Sequence, residues 1–324
     1  MGQPASATVA RVRRHLQLAL GCVWLLDAAL QFQPYMFSRS FSTDTLAPTA
    51  QGNPGWVATP INWATALVSH HPVPWNFAFA ITQLGLALGL FWPRTVRATL
   101  IASIPWSLGV WWVGEGLGGN LTGAASPLTG APGAVVIYAL LAVLLWPRPS
   151  PSRCRSVADA SPLGRAGSRV LWLVLWGGLA YEMLLPANRS ATGTLASIAG
   201  MARGEPAWLA TIDRRTVAAL GPHSAATAAV VAGILAATAL AVCGPTTLKR
   251  AWLLLAMVFA ATVWVVGEDL GGLLTGTATD PNSGPLLVLL AAAYWPVRLS
   301  RRENALHGLP ARPALPVLPA GAIR

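Results

Sequence analysis

Five of the eleven acidic residues fall within or beside long apolar runs: Asp27, Glu115, Glu182, Glu268 and Asp269. An ionisable group at membrane depth costs ~2.5–3.5 kcal/mol on insertion scales, so it turns toward a bundle interior or a cavity. A carboxylate so placed can take up a proton or a cation. Trp24, Asp27 and Gln31 follow i, i+3, i+7 spacing and share one helix face. That polar face must point inward. Counted from an apolar run starting at residue 16, Asp27 lies about 11 residues into its helix, or ~16 Å from the boundary. It is either a hydrogen-bonded packing residue or the lining of a proton or cation pathway.

Glu115 and Glu268 belong to one motif written twice, Gly-Glu-x-Leu-Gly-Gly-x-Leu-Thr-Gly, at 114–123 and 267–276. Small residues four apart, Gly114 with Gly118 and Gly267 with Gly271, let helices approach closely. The Gly-Gly pair permits a sharp exit from the helix. A Glu at a helix C-terminus meets partial negative charge. It must gain something elsewhere: a donor in the next loop, a metal or a proton. His70, His71 and His223 precede the second and sixth helices. With the carboxylates they could hold Zn or Cu, or act as a proton switch. The candidate ligand-binding set is therefore Asp27, Gln31, Glu115, Glu182, Glu268, Asp269, His71 and His223, facing outward. Metal identity stays open, and no residue is assigned to catalysis. Walker, GxGxxG and HExxH motifs and a nucleophile elbow are all missing. Cys22, Cys154 and Cys243 form no CxxC pair, which weakens thiol–disulfide and zinc-ribbon readings.

These residues need elements to hold them. The chain is 54% hydrophobic and 10% charged, with mean hydropathy +0.54. Soluble domains carry about 25% charged residues. Eight apolar runs are expected to be helices of an all-α integral membrane protein: 16–33, 75–92, 96–113, 132–146, 170–185, 225–243, 251–266 and 285–297. With the N-terminus inside, 17 basic residues fall inside and 5 outside. Arg11, Arg13, Arg14, Arg94, Arg97, Lys249, Arg250 and the 148–169 arginines are inner; Arg39, Arg189, Arg203, Arg214 and Arg215 are outer. The net charge of +11 thus reads as topology, with both termini cytoplasmic in the cell membrane, and not as nucleic-acid binding. The final run is short, ~20 Å against a ~30 Å hydrocarbon core. The loops 118–131 and 271–284 are therefore expected to dip into the bundle, with Ser283 starting a helix that has Pro285 in its first turn.

The chain also repeats itself. A shift of 152 superposes Trp24 on Trp176, Pro34 on Pro186, Pro54 on Pro206, Trp56 on Trp208, His71 on His223 and Pro93 on Pro245. The glutamate motif follows at a shift of 153, and Trp146-Pro147 matches Trp295-Pro296. Two parallel four-helix bundles are expected. Residues 1–147 form the first, 148–168 a cytoplasmic linker, 169–302 the second and 303–324 a disordered tail. Short amphipathic helices at 62–69 and 208–220 should lie in the outer loops.

A basic start, a helix with Leu20-Gly21 and Leu26-Asp27, an outer amphipathic segment, and Gln83-Leu-Gly-Leu-Ala-Leu-Gly89 followed by Arg94 together resemble the DoxX-like four-helix membrane family. The resemblance implies a four-helix bundle in each half. It further implies a link to quinone-dependent membrane redox chemistry. The duplication and the glutamate motif depart from the family pattern. Three functions follow: a transporter or small-ligand or cation binder with an acidic site; a quinone-associated oxidoreductase subunit; or a non-catalytic scaffold for a membrane-protein partner. No cofactor is evident, and a quinone belongs only to the second reading.

Overall fold

The computed structural model describes residues 5–149, 154–201 and 204–297. The tail expected at 303–324, with Arg153, Arg203 and the arginines from Arg298 onward, lies outside the described residues. Every regular element among the described residues is helical. The first part holds α1 (Ala5–Leu30), α2 (Gly55–His70), α3 (Pro72–Phe91), α4 (Val96–Val113) and α5 (Ala134–Leu144). The second holds α6 (Gly164–Met183), the short α7 (Pro186–Arg189) and α8 (Thr194–Met201), then α9 (Ala207–Leu220), α10 (Ser224–Ala241), α11 (Thr246–Val266) and α12 (Ser283–Ala293).

Three stretches are long and apolar enough to cross a membrane: Pro72–Phe91, the near-continuous Ala207–Ala241 and Thr246–Val266. Each of the other five expected runs coincides with a helix, but none meets that standard of length and apolarity. α5 and α12 show why. Each has only eleven residues, ~16 Å of rise. Both are apolar and buried on nearly every side, as a central core helix must be. They pack against each other, with α4 beside α5 and with α11 and α1 beside α12.

α1 differs from the expected 16–33 segment. It already runs at Ala5, because Ala and Arg, both good helix formers, dominate its first turns and no Pro interrupts them. Asp27 consequently lies one turn before the C-terminal end of α1, not midway along it. The extension also gives the first arginines structural work. Arg14 donates to the carbonyl oxygens of Leu90 (2.9 Å) and Phe91 (2.6 Å) at the end of α3. Gln17 Nε2 donates to Leu145 O just past α5, at 2.8 Å. Arg13 is buried and donates to the carbonyls of Arg148 and Ala160. Each contact satisfies a carbonyl that the end of a helix or a turn would leave open.

The two expected amphipathic segments are helices, longer in the first case: α2 carries exposed Trp56 and Trp63, and α9 carries exposed Trp208. The loops before α5 and α12 are non-helical, also as expected. In both, the chain leaves its helix through four successive residues of positive φ, Gly116 to Gly119 or Asp269 to Gly272. An indole then clamps each loop: Trp111 Nε1 donates to Pro132 O at 2.7 Å, and Trp264 Nε1 to Pro281 O at 2.8 Å.

Candidate functional site

The face expected from spacing exists. Trp24 and Asp27 on α1 and Gln31, one residue past its end, are all buried. The Tyr138 hydroxyl of α5 donates to Asp27 Oδ2, and the Trp24 and Tyr138 rings lie 4.2 Å apart. Asp27 Oδ1 has no hydrogen-bond partner. Neither does Gln31 Oε1, nor Gln83 Oε1 on α3. A buried acceptor left open costs about 1–3 kcal/mol, so each such atom calls for an explanation.

These atoms border a cavity of about 370 Å³, within the range of small-molecule sites. Asp27, Gln31, Gln83 and Tyr138 supply its polar side. Phe79, Trp106, Pro105, Val110 and Val113 form an apolar wall. Phe41, Thr45, Ala64 and Val68 of the long loop and α2 close it over. Glu115 reaches it from the end of α4. Asp280 reaches it from the loop before α12, so the second part of the chain completes a site in the first. Gln33 Nε2 fixes that crossing by donating to Ala278 O at 3.2 Å. Three carboxyl groups therefore line the cavity, and no lining residue is basic. Burial raises the Asp280 carboxyl, opposed by hydrogen bonds from the Thr279 hydroxyl (2.8 Å) and the Asn282 N–H (2.7 Å).

Asp27, Gln31 and Glu115 of the expected set thus share one site; the other five do not line it. Glu268 is buried and accepts from the Ser283 hydroxyl and from Gly284 N at 2.9 Å. Glu115 takes the matching position, accepting from Val135 N at 3.2 and 3.3 Å. Each glutamate therefore leaves one helix C-terminus, where its charge is unfavourable, and caps the N-terminus of the next helix, where it is favourable. Asp269 is buried against Asp213 of α9, the two carboxyl groups sharing a hydrogen bond and none of their oxygens accepting from any other group. Glu182 is half-buried on α6, outside the cavity. His71 and His223 are exposed where their helices begin. Among the described residues no three His, Cys, Asp or Glu side chains converge to hold a metal. The three cysteines are unpaired.

Tyr138, Gln83 and Asp280 were missing from the sequence-derived set. Tyr138 sits inside an apolar run and Gln83 in a helix of glycine and leucine, so neither stands out by pattern. Asp280 was visible only as a loop acid before a helix start. A second hollow, about 410 Å³, lies where the 154–169 segment meets the start of α11; Arg155, Arg165, Arg169 and Lys249 face it with Asp159. Its basic lining stands on the side expected to be cytoplasmic.

Among the described residues, all-helical structure with three helices long and apolar enough to span a bilayer gives the features of a membrane protein. No family model matches it, and comparison with curated proteins and with solved structures returns no match.

Proposed function

We propose that this chain is a multi-pass membrane protein built from two parallel four-helix units, both termini cytoplasmic, and that it binds or carries a small molecule in the cavity of the first unit. The observation that carries the reading is a contrast between registers. The buried polar residues Asp27, Gln31, Asn76, Gln83 and Tyr138 correspond, at shifts of 152 and 149, to Leu179, Met183, Ala228, Leu235 and Leu287. All five counterparts are buried and apolar. One unit carries a polar floor where the other has only core. Glu115 and Glu268, by contrast, are the same in both and do the same capping work. What is common to the units holds the fold; what differs is gathered around the cavity.

The test is binding by purified protein in detergent, followed through the fluorescence of Trp24 and Trp106, which line the cavity. Gly109 also lines it and has open space beside it. Gly109→Phe should fill that space and abolish binding while leaving the melting temperature within a few degrees of the parent. Unchanged binding in this variant would count against the cavity. Single-cysteine variants labelled from each side of sealed vesicles test the topology. Thr43→Cys should react from outside, and a cysteine at Arg165 only after the vesicles are opened. A second reading, the quinone-associated redox subunit, has one observation in its favour: the indole N–H groups of Trp24 and Trp106 lack acceptors, and quinone carbonyls would accept from them. Quinone in an organic extract of the purified protein would favour it.

A further inference from the structure

Resting on the small-molecule reading, we infer that the occupant of this cavity is an organic ammonium ion: a primary or secondary amine, protonated, on an apolar and preferably aromatic body. Three observations converge. First, the open polar side-chain oxygens are acceptors. Asp27 Oδ1, Gln31 Oε1 and Gln83 Oε1 belong to side chains more than nine-tenths buried, all lining the cavity, and none receives a hydrogen bond. An ammonium group brings two or three N–H donors on one atom, whereas a carbonyl or carboxylate ligand brings none.

Second, the charge is one-sided. Asp27, Glu115 and Asp280 face the cavity with no basic residue among its lining. An anionic ligand would meet three carboxyl groups and no cation in a low-dielectric site, while a cationic ligand favours their ionised form. Third, the remaining lining is apolar and aromatic. Trp24 and Tyr138 flank the carboxylate, and Phe79 stacks near Trp106 with ring centres 6.1 Å apart. Aromatic faces favour a cation that carries its own apolar surface. A bare metal ion would meet mostly carbon here, and among the described residues no cluster of metal-ligating side chains surrounds it. In this arrangement Asp27, held by the Tyr138 hydroxyl, anchors the ammonium. Gln31 and Gln83 receive its other protons, and the aromatic wall holds the body.

The experiment compares 2-phenylethylammonium chloride with its neutral counterpart 2-phenylethanol and with a short-chain benzoquinone, by calorimetry and thermal shift on the purified full-length protein. A charge-assisted hydrogen bond is worth about 1.5–3 kcal/mol, which predicts amine binding about tenfold or more tighter than the alcohol. Asp27→Asn can still accept from Tyr138. It should erase most of that preference while leaving alcohol binding unchanged. Asp280→Asn, on a loop outside the helix core, should weaken the amine selectively by a smaller factor and serves if the first variant fails to fold. Equal binding of amine and alcohol, or an amine affinity untouched by both variants, overturns the ammonium assignment and leaves the small-molecule reading intact. Binding of the quinone alone also overturns it and moves the cavity to the redox reading. Failure of every probe to bind the folded parent brings down the small-molecule reading as well.

Discussion

At the scale of single residues, the two glutamates of the repeated motif have a structural role. Each satisfies backbone donors at the start of a short buried helix, Glu115 at Val135 and Glu268 at Gly284. Glu268→Ala would leave the Gly284 N–H and the Ser283 hydroxyl without their acceptor in a dry interior. The expected loss is about 1–3 kcal/mol of stability, read from denaturation in mixed micelles. Glu268→Gln keeps one accepting oxygen and should lose less. Equal losses from the two substitutions would show that the hydrogen bonds do not matter. Gly118 has a different constraint. Its φ is +64°, and a Cβ there would overlap the Pro132 carbonyl. Gly118→Ala should therefore cost about 1–3 kcal/mol in the same assay, even though it adds only a methyl group.

At the scale of elements, the end of α3 and the turn after α5 are tied together by α1. Its first turns were read from sequence as a topology signal alone. Arg14 nevertheless spends its guanidinium on the last carbonyls of α3, and Gln17 its amide on the carbonyl after α5. Arg14→Ala should free the end of α3. Faster amide exchange in its last turn is expected, with a stability loss near 1 kcal/mol, the usual worth of such hydrogen bonds. No change in exchange would mean water replaces the guanidinium without cost. Helix identity was well marked in sequence, because eight apolar runs became eight helices. Helix length was not. α1 gained a basic, amphipathic start, since helix propensity continues past the point where apolarity ends. α5 and α12 came out shorter: both stop before the Trp-Pro pairs that close their runs, at Leu144 and Ala293, and Gly133 at positive φ also delays the start of α5.

At the scale of the whole molecule, the parts interlock. Asn188 Nδ2 donates to Ala125 O at 2.7 Å, α5 packs on α12, and the loop bearing Asp280 crosses to the first cavity. That crossing predicts a pH dependence. Burial raises the Asp280 carboxyl in the folded protein, so the fold holds this proton to higher pH than the unfolded chain does. Stability from this group therefore falls as pH rises above about 4, and levels off once the raised value is passed. Asp280→Asn lacks the fall. Its melting temperature relative to the parent should climb with pH above about 4 and be pH-independent below it. A constant difference across the range would show that Asp280 titrates normally.

The sequence by itself determined the helices, the inward face of Trp24, Asp27 and Gln31, the amphipathic outer segments and the paired left-handed turns at the glutamate motif. Each of these is written in local spacing, in apolar periodicity or in glycine placement, which act over one or two helical turns. Only the tertiary structure decided which acids share a site. Asp27 meets Tyr138 from 111 positions away, and Asp280 arrives from the other part of the chain. Glu268, although it repeats Glu115, goes to a helix start and does not line this cavity. Spacing can place a carboxylate on a face; the donor or hollow that the face meets depends on helix packing, and no local pattern encodes it.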